Sequence, residues 1–203
     1  MMGEIYADAL GGAPVEIEHV DGARAVLEAA RWLAPMDGDE AMLRRCAGPT
    51  LDIGSGPGRL TVALNRRGVA ALGIDITPHA VRLTRRAGGF ALLRSVFDEL
   101  PGSGRWETAL LADGNIGIGG HPNVLLRRVR ELVRPGGEVI VEVEPPGVAS
   151  RVERVRLRRG STVGEWFGWA VVSADDIARV ARSSGFALAE CWEELGRWFA
   201  GLR

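Results

Sequence analysis

The chain has 203 residues, 46% of them apolar and 25% charged, enough for one α/β domain with a real core. A net charge of -1 marks no nucleic-acid or membrane surface, and with every basic residue an arginine there is no lysine for Schiff-base chemistry. The two cysteines, Cys46 and Cys191, lie far apart and outside any metal-ligand spacing. Free thiols, no basic-then-apolar leader and no apolar run near the roughly 20 residues of a membrane span predict a cytoplasmic protein without a metal.

Residues 1–19, with Tyr6, Pro14 and His19, read as an arm or short helices. Asp21 suits the N-cap of a helix over about 22–34, where Ala25, Val26, Ala29, Ala30 and Leu33 recur at helical spacing. A shorter helix is expected over 39–46. Residues 1–49 are thus expected to be an N-terminal helical extension, a lid on the domain formed by residues 50–203.

The regular part begins with an apolar strand, Thr50-Leu51-Asp52-Ile53, which runs into Gly54-Ser55-Gly56-Pro57-Gly58-Arg59. Such a turn lets backbone approach a ligand closely, and in open α/β sheets it marks a nucleotide-like site at the carboxyl ends of the strands. A dinucleotide fingerprint needs G-x-G-x-x-G; here Gly58 comes one position early and Arg59 stands where the third glycine belongs. Asp52, at the strand end, would repel a pyrophosphate and welcome an ammonium group. In Asp52, Gly54, Gly56 and Gly58 the chain resembles the class I S-adenosylmethionine-dependent methyltransferases, whose first motif reads D/E-x-G-x-G-x-G.

Further along, a helix over 59–67, a strand over 69–75, a helix from Pro78 capped by Thr77, and strands at 90–94 and 108–112 are expected. A helix from Pro122 to 133 and a strand over 138–143 after Pro135-Gly136-Gly137 follow. This alternation implies a parallel sheet with right-handed crossovers. Residues 151–159 alternate, with Arg154, Arg156 and Arg158 on one face, and read as a solvated edge strand. Residues 166–173 and 187–199 are extended around a helix ending near 184, and late strands are expected to pair as an antiparallel hairpin at one sheet edge. The resemblance extends this to a Rossmann-like three-layer αβα sandwich: seven mostly parallel strands with an antiparallel C-terminal edge strand.

The resemblance also implies roles for residues. Asp52, Gly54, Ser55, Gly56 and Gly58 would cradle S-adenosyl-L-methionine. Asp75, 19 positions after Gly56, would bind ribose hydroxyls, with Ile76 on the adenine. Val96 and Phe97 would flank the ring, with Ser95 or Asp98 as its polar partner. Asp113, Gly114 and Asn115, in a glycine-rich strand end, would lie near the methionine or the acceptor. His121 is the candidate general base, with an exposed N-cap neighbour as the competing account. Glu142 and Glu144 read as pocket-rim or surface carboxylates. Trp166, Phe167 and Trp169 suit an acceptor pocket or a core equally. The expected activity is methyl transfer to a small-molecule acceptor by in-line displacement, with no nucleic-acid or membrane partner. Two alternatives stay open: a protein that binds S-adenosylmethionine without turnover, and an NAD-dependent oxidoreductase, disfavoured by Asp52, Arg59 and the lack of a Tyr-Lys pair.

Overall fold

A computed structural model describes residues 2–203. The chain opens with α1 (Met2–Leu10), β1 (Glu16–His19) and β2 (Arg24–Val26), a 3-10 turn at Ala29–Leu33, and α2 (Asp39–Leu43). Then come β3 (Thr50–Ile53), α3 (Arg59–Arg66), β4 (Ala71–Asp75), α4 (Pro78–Arg86), β5 (Phe90–Leu93) and β6 (Trp106–Leu111). α5 (Pro122–Leu132), β7 (Val133–Val143), β8 (Arg151–Arg159), β9 (Thr162–Val163) and β10 (Phe167–Val171) follow, and α6 (Ile177–Ser183), β11 (Leu188–Glu194) and β12 (Arg197–Leu202) finish the chain.

The main sheet runs β11-β12-β7-β6-β3-β4-β5, parallel from β7 through β5. β12 is the reversed strand, antiparallel to both β7 and β11, so this edge is an antiparallel pair. The central strands are buried on both faces, which is why they read as apolar runs. Leu51, Ile53, Ala109, Leu111, Val139 and Val141 meet one helix layer, where Leu125, Leu126 and Val129 of α5 and Ile177 and Ala181 of α6 repeat at helical spacing. Leu110, Ile140 and Phe199 meet the other, formed by Ala41 and Met42 of α2 and Leu60 and Leu64 of α3. The result is the expected three-layer sandwich.

The chain leaves β3 in one direction, through β4 to β5, and returns to β6 on the other side of β3. The reversal opens a crevice at the carboxyl ends of β3 and β6, where doubly wound sheets place their ligands. The turn 54–58 and the loop from Ala112 lie there.

Two expectations change. The helix over 22–34 is absent: Asp21-Gly22 turns a β-hairpin instead, with β1 and β2 antiparallel. The Asp21 carboxylate accepts the Ala23 amide, Gly22 adopts φ +88°, and the His19 amide donates to the Ala23 carbonyl. Asp-Gly is a strong hairpin signal, and it outweighs the weak periodicity of a few alanines and one leucine. The strand at 151–159 exists but is not an edge. β8 lies between β10 and β1 in a second, antiparallel sheet of order β10-β8-β1-β2, with β9 also paired to β8. Two of its arginines are partnered, since Arg156 and Arg158 both donate to Glu18 of β1, at 2.8 and 2.9 Å. The antiparallel pair at the main-sheet edge is β11 with β12, while β8 and β10 belong to the second sheet.

Candidate functional site

One cavity of about 610 Å³ fills the crevice and extends beneath the second sheet. Its floor is the end of β3. Asp52 is only 2% exposed and accepts the hydroxyl of Thr61, in the first turn of α3, at 2.7 Å. Burial pushes its carboxyl up to about 6, because the charged form has lost most of its water.

The turn after Asp52 is wired inward. The Gly54 and Ser55 amides both donate to the Ile74 carbonyl, the Gly56 amide donates to Asp75 Oδ2 at 2.9 Å, Pro57 has no N–H, and the Gly58 amide donates to the Ser55 carbonyl. Two glycines are sterically required. At Gly54 a Cβ would fall 2.8 Å from the amide nitrogen of Asn115, which donates to the Ile53 and Gly54 carbonyls and ties β3 to the loop after β6. At Gly58, φ is +88° and a Cβ would fall 2.4 Å from Thr84 of α4. Gly58 does not line the cavity; it lets α3 and α4 approach. That corrects its expected place in the cradle.

Asp75 lies in the cavity wall. Its Oδ1 accepts the Thr77 amide at 2.7 Å and Oδ2 the Gly56 amide. Burial raises its pKa against these bonds. Each carboxylate oxygen has a second lone pair for a ligand donor. Ile76, Ser95 and Val96 continue this wall. Phe97 and Asp98 do not. Asp98 folds back to accept the Ser95 amide at 2.8 Å, the Ser95 hydroxyl accepts the Phe97 amide, and Phe97 is left half exposed. Gly114 lies outside the main cavity, beside an adjoining hollow of about 350 Å³. His121 is the exposed N-cap residue of α5 and borders neither space, so the expected base is misplaced.

Asp113 does line the cavity, and it is held by arginines. Arg59 donates to Asp113 at 2.5 Å and is ion-paired with Asp39. Arg197 reaches Asp39 at 2.9 Å, Glu142 at 2.7 Å and Asp113 at 3.4 Å. The Asp113 amide donates to Glu142 at 2.6 Å. Three carboxylates thus face two guanidinium groups, and burial raises the pKa of Asp113. Arg59 Nε is buried without a hydrogen-bond partner among the described residues. Sequence reasoning missed this network because its members come from α2, α3, the loop after β6, β7 and β12.

The roof is the inner face of the second sheet. Ile17 and His19 of β1, Glu153, Val155 and Leu157 of β8, and Phe167 and Trp169 of β10 all border the cavity. Phe167 and Trp169 pack edge to face, at 6.5 Å and 86°. Trp166 lies elsewhere, under the Arg156 guanidinium. Tyr6 of α1 closes the side near Gly56, where a Cβ would fall 3.3 Å from its hydroxyl; burial, with Asp75 and Asp113 nearby, pushes the phenol upward. His19 Nδ1 lies 3.2 Å from Glu153 Oε2. No residue spacing in the chain could have paired positions 19 and 153. Among the described residues, no group of three or more His, Cys, Asp or Glu is placed to hold a metal, and no helix is long and apolar enough to cross a membrane.

The strand order, the reversed strand and the glycine turn at the sheet's reversal point define the fold of class I S-adenosylmethionine-dependent methyltransferases, and this chain has that fold. No protein-family model matches it. A Bacteroides fragilis S-adenosylmethionine-dependent methyltransferase, solved with S-adenosyl-L-homocysteine, superposes with a TM-score of 0.81 at 21% identity over 100% of this chain and 93% of that one. The Burkholderia thailandensis 1,6-didemethyltoxoflavin-N1-methyltransferase superposes at 0.59, with 22% identity over 81% of this chain and 73% of that one. In sequence, the chain is 30% identical over 128 residues to a Mus musculus lysine N-methyltransferase of ATP synthase, covering 61% of this chain. It spans about half (48%) of the length of that relative.

Proposed function

We propose that this chain binds S-adenosylmethionine in the 610 Å³ cavity and transfers its methyl group to a small-molecule acceptor. One observation carries the choice of cofactor. The turn 54–58 has no N–H left for a pyrophosphate, and the Asp52 carboxylate beneath it, bonded to the Thr61 hydroxyl, would repel one. A dinucleotide site needs those donors. This site offers carboxylates instead. Asp39, Asp113 and Glu142 exceed Arg59 and Arg197 by one negative charge, with Asp52 and Asp75 beyond them. S-adenosylmethionine, with a sulfonium, an ammonium and a carboxylate, carries one net positive charge and complements that excess.

In this reading Asp75 binds the ribose, Ile76, Ser95 and Val96 bracket the adenine, and Asp52 and Asp113 face the methionine ammonium. Arg59 Nε, buried and unpartnered, suits the methionine carboxylate. The bound cofactor supplies a methyl already activated by its sulfonium, so the protein's task is to hold an acceptor in line and exclude water. The apolar roof suits a small acceptor, and residues 1–49, which supply Tyr6, Ile17 and His19, act as a lid over it. The methyltransferase names of the three similar proteins support the same activity.

Titration calorimetry tests the assignment. S-adenosylmethionine and S-adenosylhomocysteine should bind and NAD should not. Asp75→Ala should weaken S-adenosylhomocysteine at least tenfold, as expected for lost hydrogen bonds to a charged acceptor. NAD binding without a response to either sulfur nucleoside would refute the reading.

A further inference from the structure

The roof of the cavity has one polar pair in an apolar surface. β1, β8 and β10 lie in register, with His19 opposite Val155, Val155 opposite Phe167, and Glu153 opposite Trp169. Alternation along each strand puts Ile17, His19, Glu153, Val155, Leu157, Phe167 and Trp169 on the inner face. His19 and Glu153 are each about one-quarter exposed and meet at 3.2 Å. Arg151 Nε also reaches Glu153 Oε2, at 3.3 Å. A carboxylate 3.2 Å from Nδ1 favours, through charge, the tautomer that carries its proton there and leaves the Nε2 lone pair as a proton acceptor.

Resting on the proposed methyltransferase reading, we infer that His19 is the proton acceptor of this site and Glu153 its positioning residue. The acceptor is then a flat, apolar ring system bearing an O–H or N–H, seated against Phe167 and Trp169. In the transfer, the acceptor oxygen or nitrogen forms its bond to the methyl carbon, the carbon–sulfur bond breaks, and its electron pair stays on sulfur. The acceptor's proton passes to His19 Nε2. The other two histidines do not compete, since neither His79 nor His121 borders the cavity.

Two measurements decide this. Nitrogen-15 NMR of the S-adenosylhomocysteine complex should show His19 with its proton on Nδ1, and Glu153→Gln should weaken that preference; an Nε2–H tautomer in the unaltered protein overturns the assignment. Methyl transfer from S-adenosylmethionine is then followed with 2-naphthol, which must lose a proton, and quinoline, which has none to lose. His19→Asn should lower kcat for 2-naphthol roughly 10²- to 10⁴-fold, the usual worth of a positioned base, with KM little changed. The loss on quinoline should be at least tenfold smaller. Equal losses on both acceptors, or none on 2-naphthol, refute the role. If S-adenosylhomocysteine binds but the unaltered protein methylates neither ring, the acceptor class is wrong. If S-adenosylhomocysteine fails to bind, the methyltransferase reading itself has failed.

Discussion

Asp52 is subject to two opposed demands. A carboxylate at the floor of the cavity suits a cationic ligand, yet burial raises its pKa to about 6. With the folded value above the unfolded one, the proton on Asp52 stabilises the fold in acid, and that contribution is lost as pH rises through about 6. Asp52→Asn removes the cost of the buried charge while keeping an acceptor for Thr61. It should raise the unfolding free energy at pH 8 by about 1–3 kcal/mol, with the gain shrinking as pH falls below about 6 and lost near pH 4, and weaken cofactor binding. Equal gains at both ends of that pH range, seen in denaturant titrations, would contradict the assignment. Asp52, Gly54, Gly56 and Asp75 were legible in the sequence because their positions follow from one strand, one turn and the next strand. Gly58 was legible only as part of the motif, since its Thr84 contact needs the packing of α3 on α4. Phe97 and Asp98 were placed in the wall because strand ends are easy to locate and the direction of the loop beyond them is not.

Among the elements, the β1–β2 hairpin differs most from its sequence reading. Its turn signal, Asp21-Gly22, lay in plain view, but short segments carry helical and hairpin patterns at once, and pairing with β8 decides between them. Glu18 fastens that pairing. Hydrogen bonds from Arg156 and Arg158 hold its carboxyl down to about 2. Here the folded pKa is depressed, so the stabilisation is full above the usual carboxylate range and is lost as pH falls toward 2. Glu18→Gln should therefore speed amide exchange in residues 16–19 and 155–158 at pH 7, with β3 and β6 unchanged. Uniform acceleration across the chain, or none in β1, would contradict this role. The central strands of the main sheet were readable because they are buried on both faces; β8 was readable as a strand, but its pairing with β1 was not, because β1 comes from the other end of the chain.

For the whole molecule, the ion network joins what the topology separates. Asp39 comes from α2, Arg59 from the start of α3, Asp113 from the loop after β6, Glu142 from β7 and Arg197 from β12. Removing one buried partner strands the others. Arg197→Met should cost about 3–5 kcal/mol at pH 8 and less at pH 5, where the raised pKa of Asp113 favours its protonation. A loss independent of pH would point to packing instead of charge. None of this network was legible from sequence, whereas the mostly parallel sheet that carries it was, because alternating strands and helices in α/β chains leave few alternatives. The cavity is proposed to hold the nucleoside at one end and the acceptor at the other. A crystal structure with S-adenosylhomocysteine tests that arrangement most directly. The ribose hydroxyls should lie within hydrogen-bonding distance of Asp75, the adenine between Ile76 and Val96, and the sulfur turned toward the roof of His19 and Trp169; a nucleoside bound elsewhere, or reversed in the cavity, would contradict it.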